Sequence, residues 1–452
     1  MKRILDGMKR TMMAVNPPRY TALEGLQKAE TASPFKILIG TVLSARTKDE
    51  NTTKAAKALF KVYGTPQKLA NAKVKDVEKM IKSVGFYHVK SKRIIEVAKL
   101  LISKYGGKVP SDIDELVDWN FGSVMMTLPL ENSLKFGVFG LQTTYTRAEP
   151  SVGPWMPDTD GARRLIRLID DLGYDSIWVG DHVAFAIPML DSLTQLAWAS
   201  GQSERLTFGT GIFLLPLRHP TPVAKVISTL DHFCDGRLIF GVGVGGEFPN
   251  EFAACGVPVS ERGARLNEAI SVLRKLWQGG EVRNEGRFYP FPDVELLPTP
   301  RQKGGPPIWC GGRSDGALTR AGKLCDGYVS YVVTPEMFRE SMEKISIAAE
   351  AAGRDVATYG TAHLLFLRID DSHEEALDAA AKALTVRYAM DFRRPAEKYC
   401  ALGAPADIAA KIDSFKAAGV RHFLLDFVGP HDQRNRQIER FAKEVRPLLG
   451  VD

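Results

Sequence analysis

Apolar residues follow two rhythms along this 452-residue chain, and the rhythm changes near residue 134. In the first part they recur three and four positions apart, the period of a helix with one buried face. Ser33 and Pro34 open one such segment, whose face includes Ile37, Leu38, Thr41 and Val42. Asp49 or Glu50 opens a second, which carries Ala55, Ala56, Leu59 and Phe60 and stops at Gly64. Gly85 separates two more, and Gly106 and Gly107 end a long helix over residues 89–105. In residues 119–134 Asn120, Gly122, Pro129 and Asn132 interrupt any period. That stretch reads as a linker between a helical segment, 1–118, and a larger domain, 135–452.

Past the linker, short apolar runs alternate with helical patterns. Strands are expected at 135–141, 176–180, 206–214, 237–244, 307–310, 327–331, 360–369 and 422–428. Helices are expected at about 160–172, near 191–200, over the apolar face of Val223, Val226, Ile227 and Leu230, and after a Ser260 cap. Residues 280–305 are rich in Gly and Pro and predict a hairpin or lid. The run from Leu238 to Val244 contains no polar residue, as in a strand buried on both faces of a parallel sheet. Alternating strands and helices imply such a sheet, and eight strands is the count for a closed (β/α)8 TIM barrel. The expected class is therefore α/β, with a small all-α segment in front.

Composition adds exclusions. With 44% apolar and 25% charged residues the chain is of the soluble globular kind. It has no apolar run of membrane-spanning length and no signal-peptide pattern, so no membrane is expected and the cytoplasm is the expected compartment. The five cysteines are scattered and never form a CxxC, which argues against a disulfide framework, a zinc site or an iron–sulfur cluster, and no metal is expected. The net charge of +7 is uneven: residues 1–120 hold about 23 basic against about 12 acidic side chains. Two units with different partners would carry such an asymmetry.

Catalytic groups of a barrel of this kind lie at the C-terminal ends of its strands. That rule selects Asp181-His182, Arg218-His219, Gly245-Gly246-Glu247 and Gly311-Gly312-Arg313-Ser314. Asp181 and His182 are adjacent, so an extended chain sends them to opposite sides and only one faces the mouth. Imidazole titrates near neutral pH, which makes His182 a candidate acid, base or cofactor contact. Glu247 is a candidate proton carrier directly after the glycines, and Glu251 stands in reserve. Gly311 to Ser314 combine a helix start, a hydroxyl and a guanidinium, a set that suits an anion. Trp178 and Trp309 read as barrel core.

The stretch RHPTPVAKVISTLDHFCDGRLIFGVGVGGEFPNEF, residues 218–252, resembles the luciferase-like flavin- and deazaflavin-dependent oxidoreductases, and the resemblance extends over about 135–449. It implies a cofactor, deazaflavin F-420 or FMN, and either hydride transfer to a small organic substrate or its oxygenation. The Asp181-His182 pair is typical of the deazaflavin branch. The resemblance also implies a non-prolyl cis peptide at Gly211-Ile212, with Gly243 and Val244 beneath the same ring. Gly311, Gly312, Arg313 and Ser314 would form the cofactor-phosphate loop, while His182 and Glu247 handle protons with Asp181 beside them.

The segments SPFKILIGTVLSARTKDENTTKAAKALF and VGFYHVKSKRIIEVAKLLISKYGGKVPSDIDELV resemble the endonuclease III family of helix-hairpin-helix DNA glycosylases. What that family needs after Leu116-Val117 is missing: no matching hairpin lysine, aspartate or cysteine set follows. The alternative function is thus DNA binding or base-excision repair without glycosylase activity. Expected partners are a small-molecule substrate, weak nucleic-acid contact by the basic N-terminal segment, and a second copy of the chain in a homodimer.

Overall fold

The computed structural model describes residues 33–44, 49–84, 87–110, 128, 130–141, 156–185, 188–354, 356 and 358–450. The chain divides into two compact units, Met1–Met125 and Met126–Asp452. Most of the expected linker, and Asp49, Glu50, Gly85, His88 and Val89 in whole or in their side chains, lie outside what is described.

The first unit contains helices α1 (Pro34–Ser44), α2 (Asp49–Val62), α3 (Pro66–Ala70), α4 (Val74–Ile81) and α5 (Tyr87–Tyr105). Their shared core includes Phe35, Ile39, Leu43, Leu59, Val77, Ile94 and Leu101. The α1 face differs from the expected one. Phe35, Ile39 and Leu43 are buried, Leu38 and Val42 are half-buried, and Thr41 turns its hydroxyl back to the Ile37 carbonyl at 2.9 Å. Because α1 is apolar nearly all round, periodicity alone could not select its buried face. Lys90 is buried and donates to the Leu43 carbonyl at 2.9 Å, and burial lowers its pKa to about 8.

The second unit is a closed parallel barrel. Its strands are β1 (Lys135–Phe139), β2 (Ser176–Val179), β3 (Thr207–Thr210), β4 (Leu238–Val242), β7 (Ile308–Gly311), β8 (Gly327–Tyr331), β9 (Gly360–Ile369) and β11 (His422–Phe427). They pair in that order, and β11 closes on β1 with Lys135 opposite His422. The Gly- and Pro-rich stretch folds as an antiparallel hairpin, β5 (Glu281–Asn284) with β6 (Phe291–Glu295). Barrel helices are α6 (Thr159–Asp171), α7 (Ser192–Ser200), α8 (Pro220–Phe233), α9 (Pro249–Ala254), α10 (Arg262–Trp277), α11 (Asp315–Leu324) and α12 (Pro335–Ala351). Between β9 and β11 the chain adds α13 (His373–Tyr388), α14 (Arg393–Tyr399) and a short strand, β10 (Ala401–Gly403), before α15 (Pro405–Ala417). A last helix, α16 (Arg434–Arg440), follows β11.

Side chains alternate across each barrel strand. Outward residues such as Phe423, Leu425 and Phe427 join the helices in one large core. Inward residues form another, containing Trp178, Trp309, Val329, Ala362, Leu364, Phe366 and Leu424. Trp178 and Trp309 stack at 5.6 Å and fill the barrel interior, as core residues should. Neighbouring strands leave room for them by carrying glycine: a Cβ on Gly209 would lie 2.3 Å from Trp178, and one on Gly360 would lie 2.2 Å from Trp309. The buried face of α13, with Ala376, Leu377, Ala380 and Leu384, packs on this same interior cluster. Among the described residues no helix is long and apolar enough to cross a membrane.

Candidate active site

The inward side of β2 continues past Trp178 through Gly180 to His182, so the pleat directs His182 to the barrel mouth and Asp181 away from it. Asp181 is buried and fully engaged. It takes a bidentate ion pair from Arg218 at 2.5 and 2.9 Å, a hydrogen bond from the Ser192 hydroxyl at 2.9 Å and one from the Leu214 N–H at 2.9 Å. Such a carboxylate ties β2 to α7 and to the segment after β3; it has no lone pair directed at the mouth.

His182 is held by Glu251. Its Nδ1 lies 3.0 Å from Glu251 Oε2, and Oε1 of the same carboxylate accepts from the Val183 and Ala184 N–H groups at 2.5 and 3.1 Å. Glu251 is only 2% exposed, whereas the His182 side chain keeps 19% of its surface open. A carboxylate on Nδ1 fixes that nitrogen as the proton-bearing one and leaves Nε2 available to accept or return a proton. Phe185 stacks on the imidazole at 4.0 Å, and Phe248 meets it edge-on at 5.7 Å. Glu251 sits in α9, four residues beyond Glu247, which itself is exposed at the rim.

At their C-terminal ends β3, β4 and β7 present nearly bare backbone inward, through Gly211, Gly241, Gly243 and Gly311. Gly211-Ile212 is a non-prolyl cis peptide. The Ile212 side chain lies against the strand-end glycines: a Cβ on Gly243 would fall 1.6 Å from Ile212 Cδ1, and one on Gly311 would fall 2.8 Å from Ile212 Cγ2. Ile212 thus forms a floor that only glycine neighbours permit. Val244 packs its side chain on the outer core, so only its backbone reaches this floor.

Beyond β7, Gly312 has φ +126° and is exposed, as are Arg313 and Ser314. The Ser314 hydroxyl caps α11 by accepting from the Ala317 N–H at 3.3 Å, and Arg313 donates to the Val332 carbonyl at 3.0 Å. The bare inward backbone, its Ile212 floor and the exposed α11 start fit a flat, phosphate-bearing group.

Of the expected candidates, His182 and the glycines turn to the mouth, Asp181 turns away from it and Glu247 stands exposed at the rim; the opposite wall carried no expected candidate. There Tyr331 of β8 hydrogen-bonds Tyr388 of α13 through their hydroxyls. Beside them Arg387 reaches Asp426 of β11 at 2.6 Å. Tyr331 was legible as a strand-end residue, but nothing local marked Arg387 and Tyr388, which reach the mouth on an inserted helix.

The parallel barrel carries a histidine, a carboxylate and a glycine-lined floor at its strand ends, where barrel enzymes hold their reactive groups. The chain belongs to the luciferase-like monooxygenase family, whose model matches residues 134–445. It is 27% identical over 319 residues to the F-420-dependent glucose-6-phosphate dehydrogenase of Amycolatopsis mediterranei, a match covering 62% of this chain and 91% of that one. Among solved structures, the monooxygenase RslO1 of Streptomyces bottropensis aligns with a TM-score of 0.60 at 24% identity, over 70% of this chain and 99% of that one. The F-420-dependent tetrahydromethanopterin reductase of Methanopyrus kandleri aligns with a TM-score of 0.57 at 21% identity, over 70% of this chain and 99% of that one. These two structural likenesses speak for the fold.

The first unit has a separate kinship. It is 55% identical over 84 residues to the endonuclease III of Thermotoga maritima, 19% of this chain, and spans only 39% of that enzyme's length. A model of the HhH-GPD superfamily of base excision DNA repair proteins matches residues 39–211. The latter part of that match runs over β1, β2 and β3, which are folded here as barrel strands.

Proposed function

We propose that this chain is an F-420-using oxidoreductase that moves a hydride between the cofactor and a small organic substrate, with His182 as its proton-handling residue. The observation that carries the reading is the buried Glu251 carboxylate on His182 Nδ1, which leaves Nε2 to the mouth. Gly211, Ile212 and Gly243 would support the flat ring, together with the Val244 backbone. Gly311, Gly312, Arg313 and Ser314 would hold its phosphate at the α11 start. F-420 supplies hydride acceptance and donation when bound. The chain's own part is to orient the substrate and move a proton: His182 Nε2 takes the proton from a substrate hydroxyl, or returns it to a carbonyl in reverse. Glu247, exposed at the rim of the mouth, exchanges protons with solvent. Asp181 acts through position alone, by fixing the strand end that carries His182.

FMN is the second reading, supported by the monooxygenase family to which the barrel belongs. In that case His182 would occupy the same place beside a different ring. The domain division proposed with this function is a helical segment, 1–118, a linker, 119–134, and the enzyme, 135–452, acting in the cytoplasm. The basic helical segment serves as an interaction module with at most non-specific contact to nucleic-acid phosphates.

His182→Ala tests the assignment. Turnover should fall at least a hundredfold, in line with loss of a general base, while cofactor affinity changes less than threefold. Equal loss of both would make His182 a structural histidine.

A further inference from the structure

Arginine–carboxylate pairs ring the C-terminal ends of the strands. Arg218 is paired with Asp181, Arg368 with Asp370 at 2.7 Å, and Arg387 with Asp426 at 2.6 Å. The second and third pairs face the interior, since Arg368 follows Leu364 and Phe366 on the inward side of β9 and Asp426 shares that of β11 with Leu424. In the third pair Asp426 is only 3% exposed in its side chain and Arg387 15%, so each charge is spent on the other. Next to them the Tyr331 and Tyr388 phenols are kept protonated by burial, which raises both pKa values. Phe392 stacks on Tyr388 at 5.0 Å, and Phe366 lies 5.8 Å from Tyr331. The wall opposite His182 is therefore aromatic, with two neutral hydroxyls and a cancelled charge. A phosphate ester placed there would meet no uncompensated cation, and Glu247, near enough to act on Tyr331 electrostatically, would repel it.

We propose that the mouth selects an uncharged cyclic or aromatic alcohol or carbonyl compound. Its ring lies against the partly exposed Tyr331–Tyr388 face, an oxygen remote from the reacting carbon bonds to the same two hydroxyls, and Asp426 excludes phosphorylated substrates by holding Arg387. The proposal deepens the oxidoreductase reading and rests on it for the reacting end of the substrate.

Calorimetric binding to the full chain, with and without F-420, tests it using 4-hydroxybenzyl alcohol, glucose 6-phosphate and inorganic phosphate as probes. The wild type should bind the neutral alcohol at least tenfold more tightly than glucose 6-phosphate. Asp426→Asn should raise affinity for both phosphates at least tenfold by removing the anion that offsets the Arg387 charge. Tyr388→Phe should weaken the alcohol at least fivefold and leave the phosphates unchanged. Tighter binding of glucose 6-phosphate by the wild type overturns the proposal, as does unchanged phosphate affinity in a folded Asp426→Asn. Should Asp426→Asn fail to fold, the wild-type ranking and the Tyr388→Phe result decide alone. Cofactor uptake is read separately by absorbance, so its failure would sink the redox reading without touching the probe ranking.

Discussion

Two neighbours, Asp181 and His182, carry opposite burdens because the pleat separates them. Removing the Asp181 carboxylate leaves Arg218 without its buried partner, a loss of about 3–5 kcal/mol. Asp181→Ala should therefore lower the urea midpoint sharply, whereas Glu247→Gln, exposed on the rim, should leave stability within about 0.5 kcal/mol. A midpoint for Asp181→Ala close to wild type would show that this carboxylate is not structural. His363 offers a pH test. It is buried between β9 and α15, stacked on Phe415 at 4.1 Å, bonded to Ser330 and faced by Lys411, and burial pushes its pKa down to about 3. Its folded pKa lies below the unfolded one, so its contribution is whole above about pH 6.5. As pH falls from there toward 3 it is lost, at up to about 1.4 kcal/mol per pH unit. His363→Met should flatten that slope in denaturant titrations, and an unchanged slope would assign the acid sensitivity elsewhere. At this scale the sequence marked His182 because strand ends in a barrel face the mouth. It ranked Glu247 ahead of Glu251, and the structure reverses that order by putting Glu251 on His182, because the contact depends on where α9 turns.

The barrel strands were readable as elements because strands buried on both faces leave unbroken apolar runs, and 238–244 is one of them. The β3 expectation, 206–214, overran: the regular strand ends at Thr210, and the cis peptide and a short 3-10 turn follow, which an apolar sequence does not announce. The inserted α13, α14 and β10 were missed for a different reason. Their apolar residues, Ala376, Ala380, Leu384 and Ala396, pack on the barrel interior, so their period looks like any crossover helix. Packing inside the barrel makes its own prediction. Gly360→Ala would drive a methyl into Trp309 and should cost about 1–3 kcal/mol by overpacking. Pairing Gly360→Ala with Trp309→Phe should recover part of that loss, and additive losses would contradict the tight fit described here.

For the whole molecule, the two units have separate apolar cores, one built from α1 to α5 and the other from the barrel. A chain beginning at Met126 should accordingly retain cofactor uptake and turnover within about twofold, because no residue assigned to the site lies in the first unit. Loss of cofactor uptake on that deletion, in a folded product, would tie the helices to catalysis. That a helical segment precedes the barrel was legible in the change of hydrophobic period and in the excess of basic residues before 120. What the helices bind was not, since a basic face attracts phosphates of any source. The central claim concerns the barrel: its glycine-lined mouth takes up a flat redox cofactor beside His182. Titrating the purified chain separately with F-420 and with FMN, and recording the visible absorption of each, tests it most directly. Saturable uptake of F-420 with a shifted spectrum, retained in His182→Ala, is the predicted result. Spectra identical to the free cofactors at every ratio, for both compounds, would contradict it.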